Sequence, residues 1–372
     1  MTNSEKMINV TRADLPELKN YTEYLKKIWA NHWLTNDGEL VQSLRQELKT
    51  YLKIDDLVLV SNGTLAIQLA LKALDLKGEV ITTPFTFAAT TNALLWEGLK
   101  PVFADIDKET FNIDPYDIER KITSKTCAIL AVHVYGNPCF IERMQEVADS
   151  HNLKMIYDAA HAFGVEYKNC PITNFGDVST LSFHATKVFN TIEGGAVIAR
   201  DECVVKKLML LRNHGIKSEQ EVVLPGTNAK MNEFQAAMGL CNLEYIDRAI
   251  DLRKMLYQRY LERFASLPVG FQKIVASKYN FSYMPILLRS ETERDSIYSL
   301  LTANGIKPRK YFFPLTVNFD YFKNANVDLI KKYNLVNAKD IANRILCLPL
   351  YPNLENLCVD QIVSLVSKKI RN

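Results

Sequence analysis

The chain has 372 residues, 48% of them hydrophobic and 23% charged, with 14 glycines, 13 prolines and a formal net charge of +3. This composition excludes a disordered or collagen-like protein, and the near-neutral charge without a long basic block disfavours a nucleic-acid partner. At roughly 150 residues per domain, the length predicts two to three domains, or one large fold with an added lobe.

The first part of the chain, from about residue 53 to residue 200, alternates short β-branched runs with helical segments. Seven strands are predicted: Leu57–Val60, Glu79–Thr83, Lys100–Ala104, Ala128–His133, Lys154–Tyr157, Thr180–Phe183 and Ala196–Ala199. Short apolar strands alternating with helices are typical of a layered α/β domain with a largely parallel sheet.

After Arg200 the apolar residues recur every three to four positions, which predicts helices. The predicted helices are Cys203–Leu211, a long connector from Met231 to about Leu267, Glu291–Asn304, Asn337–Arg344 and Cys358–Lys369. With a strand at Phe281–Leu287, this part predicts a smaller α+β lobe. We expect the first 40 or so residues to pack on that lobe or on a partner.

Polar residues that can carry chemistry follow several of the predicted strands, where open α/β sheets collect ligands. Ser61–Thr64 is predicted to form a glycine-containing turn into a helix, which can bind an anion, although an ordinary capped turn is the commoner outcome of such a pattern. Asp158 follows an apolar strand, so its carboxylate needs a cationic or donating partner, unless it is only a helix cap.

A second group of candidates lies between Ser182 and Glu233. Lys187 follows a core strand within Ser182-Phe183-His184-Ala185-Thr186-Lys187, a setting that favours a Schiff-base nucleophile over the commoner surface charge. Asn228, in a glycine-led turn, is a candidate phosphate donor or a helix cap. Outside this range, Phe87 follows the predicted strand Glu79–Thr83 and is a candidate for stacking on a planar ring, or for the core.

The seven cysteines are scattered and never form a CxxC pair, which disfavours a disulfide framework and a thiolate zinc site. No metal ligand set is predicted. The N-terminal segment lacks a signal-peptide core, and no apolar run approaches the roughly 18 residues that a membrane span requires. We therefore expect a cytoplasmic protein without a membrane partner.

Taken together, the motifs resemble those of the sugar-nucleotide aminotransferases, a family of the fold-type-I (aspartate aminotransferase) class that depends on pyridoxal 5'-phosphate (PLP). The resemblance covers Trp33–Asn36, Ser61–Thr64, Thr83–Thr90, Lys100–Asp107, Asp158–Gly164, Ser182–Gly195, Asn228–Gly239 and Cys347–Pro352. It implies a large PLP-binding domain over residues 1–245, with a mostly parallel seven-stranded sheet, and a smaller α+β C-terminal domain over residues 246–372. It also implies a homodimer with composite active sites.

The same resemblance assigns roles to individual positions. Lys187 matches the Schiff-base lysine and Asp158 the carboxylate that pairs with the pyridinium nitrogen, a pairing that lets the ring take up electrons. The remaining matches are Gly63, Thr64 and Ser182 at the cofactor phosphate, Phe87 and His161 at the ring, Asn228 at the phosphate of a neighbouring subunit, and Trp33, His184 and Tyr311 at the substrate.

The implied reaction transfers the amino group of L-glutamate to a nucleotide-linked keto sugar. The segment around Lys187 looks most like that of relatives that aminate carbon 4 of dTDP-4-keto-6-deoxyglucose; relatives that aminate carbon 3 more often have a Pro-Gly-Lys version. Thr316 departs from the pattern, because many relatives have a histidine there. The alternatives are a 3-aminotransferase and a non-catalytic PLP-binding regulatory protein. A dehydrase, which has a histidine in place of the lysine, and an oxidoreductase, which needs a GxGxxG turn, are disfavoured.

Overall fold

The computed structural model of the protein describes residues 7–323 and 328–371. Residues 1 and 372, the outer limits of the two predicted domains, lie outside these ranges.

Seven strands form one large sheet. They are β1 (Val58–Val60), β2 (Glu79–Thr82), β3 (Lys100–Phe103), β4 (Thr126–Val132), β5 (Lys154–Asp158), β6 (Val178–Ser182) and β7 (Gly195–Ala199). Their order across the sheet is β1-β7-β6-β5-β4-β2-β3, and only β7 runs antiparallel to its neighbours. The predicted seven-stranded, mostly parallel sheet is therefore confirmed, with strand ends shifted by one or two residues. One shift matters for the site, because Asp158 is the last residue of β5.

The helices lie between and after these strands. They are α1 (Leu18–Asn31), α2 (Glu39–Leu52), α3 (Gly63–Ala73), α4 (Ala88–Trp96), α5 (Pro115–Lys121), α6 (Ile141–Ser150), α7 (Glu202–Leu211), α8 (Glu233–Glu244), α9 (Ile246–Phe264), α10 (Glu291–Ala303), α11 (Asp320–Lys323), α12 (Leu329–Tyr333), α13 (Val336–Arg344) and α14 (Asn356–Arg371). None of these helices is long and apolar enough to cross a bilayer.

Both faces of the sheet are covered because successive strand residues point to opposite sides. In β4, Ile129 and Ala131 pack with α2, α6 and α8 in one core. Ala128 and Leu130 belong to a second core, on the face covered by α3 and α4. The result is a three-layer α/β domain whose strand ends are open to ligands.

The predicted helical connector from Met231 to Leu267 is two helices rather than one. Tyr245, with φ −112° and ψ 4°, separates α8 from α9. Ile250 of α9 packs in the core of the large sheet, whereas Tyr260 and Phe264 pack in the C-terminal lobe. The second helix therefore joins the two cores, and the division at residue 245 stays a prediction.

The C-terminal lobe contains an antiparallel strand pair, β8 (Met284–Leu287) with β9 (Ile345–Leu348), covered by α9, α10 and α14. The predicted strand Phe281–Leu287 begins three residues later, since Phe281 has a left-handed backbone (φ 52°). The N-terminal strand Ile8–Asn9 pairs with Ile306–Lys307 of this lobe, as expected. Helix α1 instead packs on α8, where the rings of Trp29 and Phe234 meet edge to face at 5.9 Å.

Three short strand pairs, Ile8–Asn9 with Ile306–Lys307, Glu166–Tyr167 with Cys170–Pro171 and Ile216–Ser218 with Glu221–Val222, complete the described strands, together with single 3-10 turns at Val134–Gly136, Ile172–Asn174 and Thr316–Asn318.

Candidate active site

A cavity of about 550 Å³ opens at the carboxyl ends of the parallel strands, between the large sheet and residues of the C-terminal lobe. Most of the sequence-predicted site residues line it: Gly63, Thr64, Phe87, Asp158, His161, Ser182, His184, Lys187 and Tyr311. The convergence follows from the topology, since parallel strands end at the same edge of a sheet. The chemistry of these side chains differs from one end of the cavity to the other.

One end of the cavity is the N-terminus of α3. Asn62 caps this helix, because its side-chain oxygen accepts the N–H of Leu65 at 2.9 Å. The first N–H groups of a helix have no acceptor within the helix, and its dipole attracts anions. With the hydroxyls of Thr64 and Ser182 beside them, these groups form a suitable cradle for a phosphate.

Two glycines make this cradle possible. A Cβ atom on Gly63 would lie 2.6 Å from Cβ of Ser182, so only glycine lets the turn approach β6 so closely. Gly195 pairs with both Val60 and Ser182, and a Cβ there would lie 2.9 Å from the carbonyl of Asn62. The α3 turn therefore crosses β7 where that strand has no side chain.

Asp158 is the acidic group deep in the cavity. Only 5% of its surface is exposed, and its carboxylate accepts hydrogen bonds from the Thr90 hydroxyl (2.7 Å) and the Ala160 N–H (3.1 Å). Burial raises the pKa of Asp158 above its ordinary value, and these two donors and the charge of Lys187 partly oppose the rise. Two neutral donors leave room for a cationic partner, such as a protonated pyridine nitrogen.

Lys187 follows β6 in a tight turn in which its N–H donates to the carbonyl of His184 at 2.8 Å. Burial lowers the pKa of Lys187 to about 8; the Asp158 carboxylate opposes this shift, and the Arg309 guanidinium adds to it. Roughly a fifth of the amine is therefore neutral at pH 7.4, far more than for an ordinary lysine. A neutral amine is the form that attacks a carbonyl carbon.

Aromatic rings line the space between these groups. His161 is buried and stacks on Phe312 at 5.9 Å, and its Nδ1 accepts the N–H of Tyr135 at 3.3 Å. Burial, with the charges of Lys187 and Arg309, holds the pKa of His161 well below its ordinary value, so the ring is neutral and carries its proton on Nε2. Phe87 is 49% exposed because it faces the cavity instead of the core. The walls thus suit a flat ring.

Two predicted site residues lie elsewhere in the chain. Trp33 is 54% exposed in the turn between α1 and α2, which is fastened to α8 because the carbonyl of Leu34 accepts the N–H of Glu233 at 3.0 Å. Asn228 is exposed and pairs with Asn213 outside the cavity. Neither residue lines the cavity of its own chain.

Thr316, the departure from the relatives' pattern, is fully buried, and its N–H donates to the carbonyl of Pro84 at 3.1 Å. It anchors the loop and does not line the cavity. Tyr311 and Phe312, earlier in the same loop, do line it.

The lining or supporting residues without a predicted role include Thr90, Tyr283 and Arg309. Thr90 could have been found, because it lies in the segment Thr83–Thr90 that carries the family resemblance. In the structure its hydroxyl shares a hydrogen bond of 2.8 Å with that of Thr86. Arg309 lies in Lys307-Pro308-Arg309-Lys310, a basic stretch typical of an exposed surface. Nothing local distinguishes it from its neighbours.

Comparison with known proteins adds independent findings. Residues 17–367 match the model of the DegT/DnrJ/EryC1/StrS aminotransferase family. The dTDP-4-amino-4,6-dideoxy-D-glucose transaminase of Escherichia coli is 41% identical over 377 residues, which cover 99% of this chain and 100% of the relative. The crystal structure of DesI in the presence of its TDP-sugar product superposes with a TM-score of 0.92, at 32% identity, and covers 99% of this chain and 94% of that one. The structure of NtdA from Bacillus subtilis with bound cofactor PMP has a TM-score of 0.88, at 28% identity, and covers 96% of this chain and 82% of that one.

Proposed function

Because the chain belongs to the DegT/DnrJ/EryC1/StrS aminotransferase family, we propose that it transfers the amino group of L-glutamate to dTDP-4-keto-6-deoxy-D-glucose, giving dTDP-4-amino-4,6-dideoxy-D-glucose. We infer the sugar from the Escherichia coli relative, which matches nearly the whole chain and whose name contains this product. The observation that carries the chemistry is the placement of Lys187, Asp158 and the α3 N-terminus around one cavity.

The residues present fit PLP. Asp158 would hold the pyridinium nitrogen, the turn at Gly63 and Thr64 with Ser182 would hold the phosphate, and Phe87 and His161 would contact the ring. When bound, PLP supplies an electrophilic carbonyl carbon and a ring that accepts electrons. The neutral state of His161 leaves Asp158 as the charged partner of the ring.

Lys187 has two tasks in this proposal. Its amine would hold the cofactor covalently, and the lowered pKa of Lys187 would favour this attachment near neutral pH. When it is not bound to the cofactor, Nζ of Lys187 would accept the proton from Cα of the amino donor, and in the second half of the reaction it would deliver a proton to carbon 4 of the sugar. The keto sugar then enters the same cavity, where His184 and Tyr311 are the proposed contacts.

The proposal includes a homodimer with composite sites. Trp33 and Asn228 are exposed and outside the cavity of their own chain, which is compatible with contacts to a second copy. In this arrangement Asn228 would reach the phosphate bound by the neighbouring subunit, and Trp33 would contact its substrate.

An absorbance experiment on the purified, PLP-loaded protein tests the function. We expect L-glutamate to convert the spectrum of bound PLP to that of pyridoxamine phosphate, and dTDP-4-keto-6-deoxyglucose to reverse the change. Lys187→Ala should show neither conversion. NMR of the sugar product then identifies the aminated carbon. Reversal only by another keto sugar would refute the substrate, and a protein that binds no PLP would refute the function.

A further inference from the structure

The cavity contains a second cation, Arg309, for which the proposed chemistry has no task. Its backbone exchanges two hydrogen bonds with Cys347 of β9, at 2.8 and 3.0 Å. Its guanidinium lies 4.0 Å from the centre of the Tyr311 ring, and the side chain lines the cavity. A strand and an aromatic ring therefore hold the guanidinium in one place before any substrate arrives.

Among the described residues, this guanidinium has no acidic partner. Within residues 7–323 and 328–371, no carboxylate oxygen lies within 4.0 Å of it, whereas the adjacent Lys310 lies 2.6 Å from Asp295. The acid deep in the cavity, Asp158, is already bonded to Thr90 and Ala160. An unpaired guanidinium in a binding cavity has the planar donor geometry that recognises carboxylate or phosphate through two hydrogen bonds.

Both proposed substrates have anionic oxygens, so the distance from the reacting carbon to the anionic group has to show which of them Arg309 binds. Arg309, Lys187 and His161 line the same cavity, and the Tyr311 ring that lies 4.0 Å from the guanidinium has its centre 6.0 Å from that of His161. The guanidinium therefore lies at the part of the cavity where His161 would contact the cofactor ring, and the lowered pKa of Lys187, to which the Arg309 charge contributes, agrees with this placement. In an amino acid, a single carbon separates the amine from the α-carboxylate. In the nucleotide sugar, the diphosphate on carbon 1 lies across the ring from carbon 4. The carboxylate is thus the anion that arrives close to Lys187.

We propose that Arg309 binds the α-carboxylate of the amino donor and thereby selects amino acids for the first half of the reaction. This inference rests on the proposed function, because it assigns a residue to one of its two substrates. The Tyr311 ring, 4.0 Å from the guanidinium, supports it at the cavity wall, and a guanidinium can bind both oxygens of a carboxylate through two N–H groups.

Calorimetric titration of the PLP-loaded protein with glutarate tests the proposal without turnover, because glutarate has the carboxylates of glutamate but no amine. We expect Arg309→Gln to weaken glutarate binding about 30-fold, the usual loss for a charge-assisted pair of hydrogen bonds. Arg309→Lys should recover part of this loss, because it keeps the charge without the fork. Titration with dTDP should give a dissociation constant within about threefold of the unaltered protein for all variants.

Lys310→Gln is the matched control, since it removes a neighbouring positive charge that is paired outside the cavity. It should leave both dissociation constants unchanged. Unaltered glutarate binding in Arg309→Gln, no glutarate binding by the unaltered protein, or an equal loss of dTDP binding would each overturn the proposal. Failure of amino transfer by the unaltered protein would instead refute the proposed function, because the titrations do not depend on it.

Discussion

Asp158→Asn is the substitution that tests the site most directly, because it removes a charge and almost no volume. In the native protein both carboxylate oxygens already accept a hydrogen bond, from Thr90 and from Ala160. The asparagine oxygen can still accept one of these hydrogen bonds. Its NH2 group is a donor, so it cannot accept the other hydrogen bond or one from a pyridinium N–H. The cofactor ring would then lose the charge that keeps it protonated.

The size of the effect follows from the burial of Asp158, which is 5% exposed. Removing one partner of a buried ion pair costs about 3–5 kcal/mol. At 1.36 kcal/mol for each factor of ten in rate, this corresponds to a decrease in kcat of roughly 150- to 5000-fold. Affinity for PLP should fall as well, because the same pair contributes to binding.

The cofactor-free protein should respond in the opposite direction. Burial raises the pKa of Asp158 above its unfolded value, so the protonated acid is favoured in the fold. The stability that belongs to this group is present at low pH and is lost as the pH rises through the raised pKa. At neutral pH the buried charge therefore destabilises the protein without PLP, and Asp158→Asn should unfold at an equal or higher temperature.

Two measurements on the same preparations check this reasoning: kcat at saturating PLP, and thermal unfolding of the PLP-free protein at pH 7. Asp177→Asn is the control, because Asp177 accepts the N–H of Met155 at the other end of β5 and does not line the cavity. It should retain kcat within about threefold. The reasoning is refuted if Asp158→Asn keeps kcat within tenfold at full PLP occupancy, or if it unfolds the PLP-free protein at a markedly lower temperature.

Three further predictions concern the other parts of the site. Gly63→Ala should lower PLP affinity at least tenfold in a spectroscopic titration and destabilise the fold by about 1–3 kcal/mol, because its Cβ would lie 2.6 Å from Cβ of Ser182. The control is Gly270→Ala, whose Cβ would lie 3.3 Å from Leu287 in the C-terminal lobe. Equal PLP affinities of the two variants would contradict the phosphate-binding role of the turn at Gly63. Because the pKa of Lys187 is about 8 in the PLP-free protein, the rate of covalent PLP attachment should rise with pH and level off above about pH 9. Asp158→Asn should move the midpoint of this pH profile to lower pH, because the Asp158 carboxylate raises the pKa of Lys187. An unchanged midpoint would contradict the interaction between the two residues. Mixing the two inactive variants Lys187→Ala and Asn228→Ala should restore about a quarter of the native activity if each site of a homodimer takes Lys187 from one chain and Asn228 from the other, because about half of the dimers are then mixed and each of these has one intact site. No recovery after verified subunit exchange would refute composite sites.

Much of this site could be predicted from local sequence. Short β-branched apolar runs identified the strands of the sheet, and apolar residues recurring every three to four positions identified the later helices. A polar residue after an apolar strand identified Asp158 and Lys187 as candidates. Their convergence was predictable as well, because parallel strands place their carboxyl ends at one edge. These inferences hold since strand pattern and strand-end chemistry depend on residues a few positions apart.

Other features depended on tertiary packing. The insertion of antiparallel β7 between β1 and β6 lets Gly63 reach Ser182 across Gly195, and no local pattern records this contact. The pKa of Lys187 is set by burial and by two charges, one of them from Arg309, which is more than a hundred residues away in sequence. Trp33 and Asn228 matched the motif yet lie outside the cavity, because hydrogen bonds to distant segments position their turns. Sequence by itself thus determined which elements form and which residue types stand at their ends. The tertiary structure decided which of those ends share a cavity and what charge each group carries there, because proximity and burial arise only when distant segments pack together.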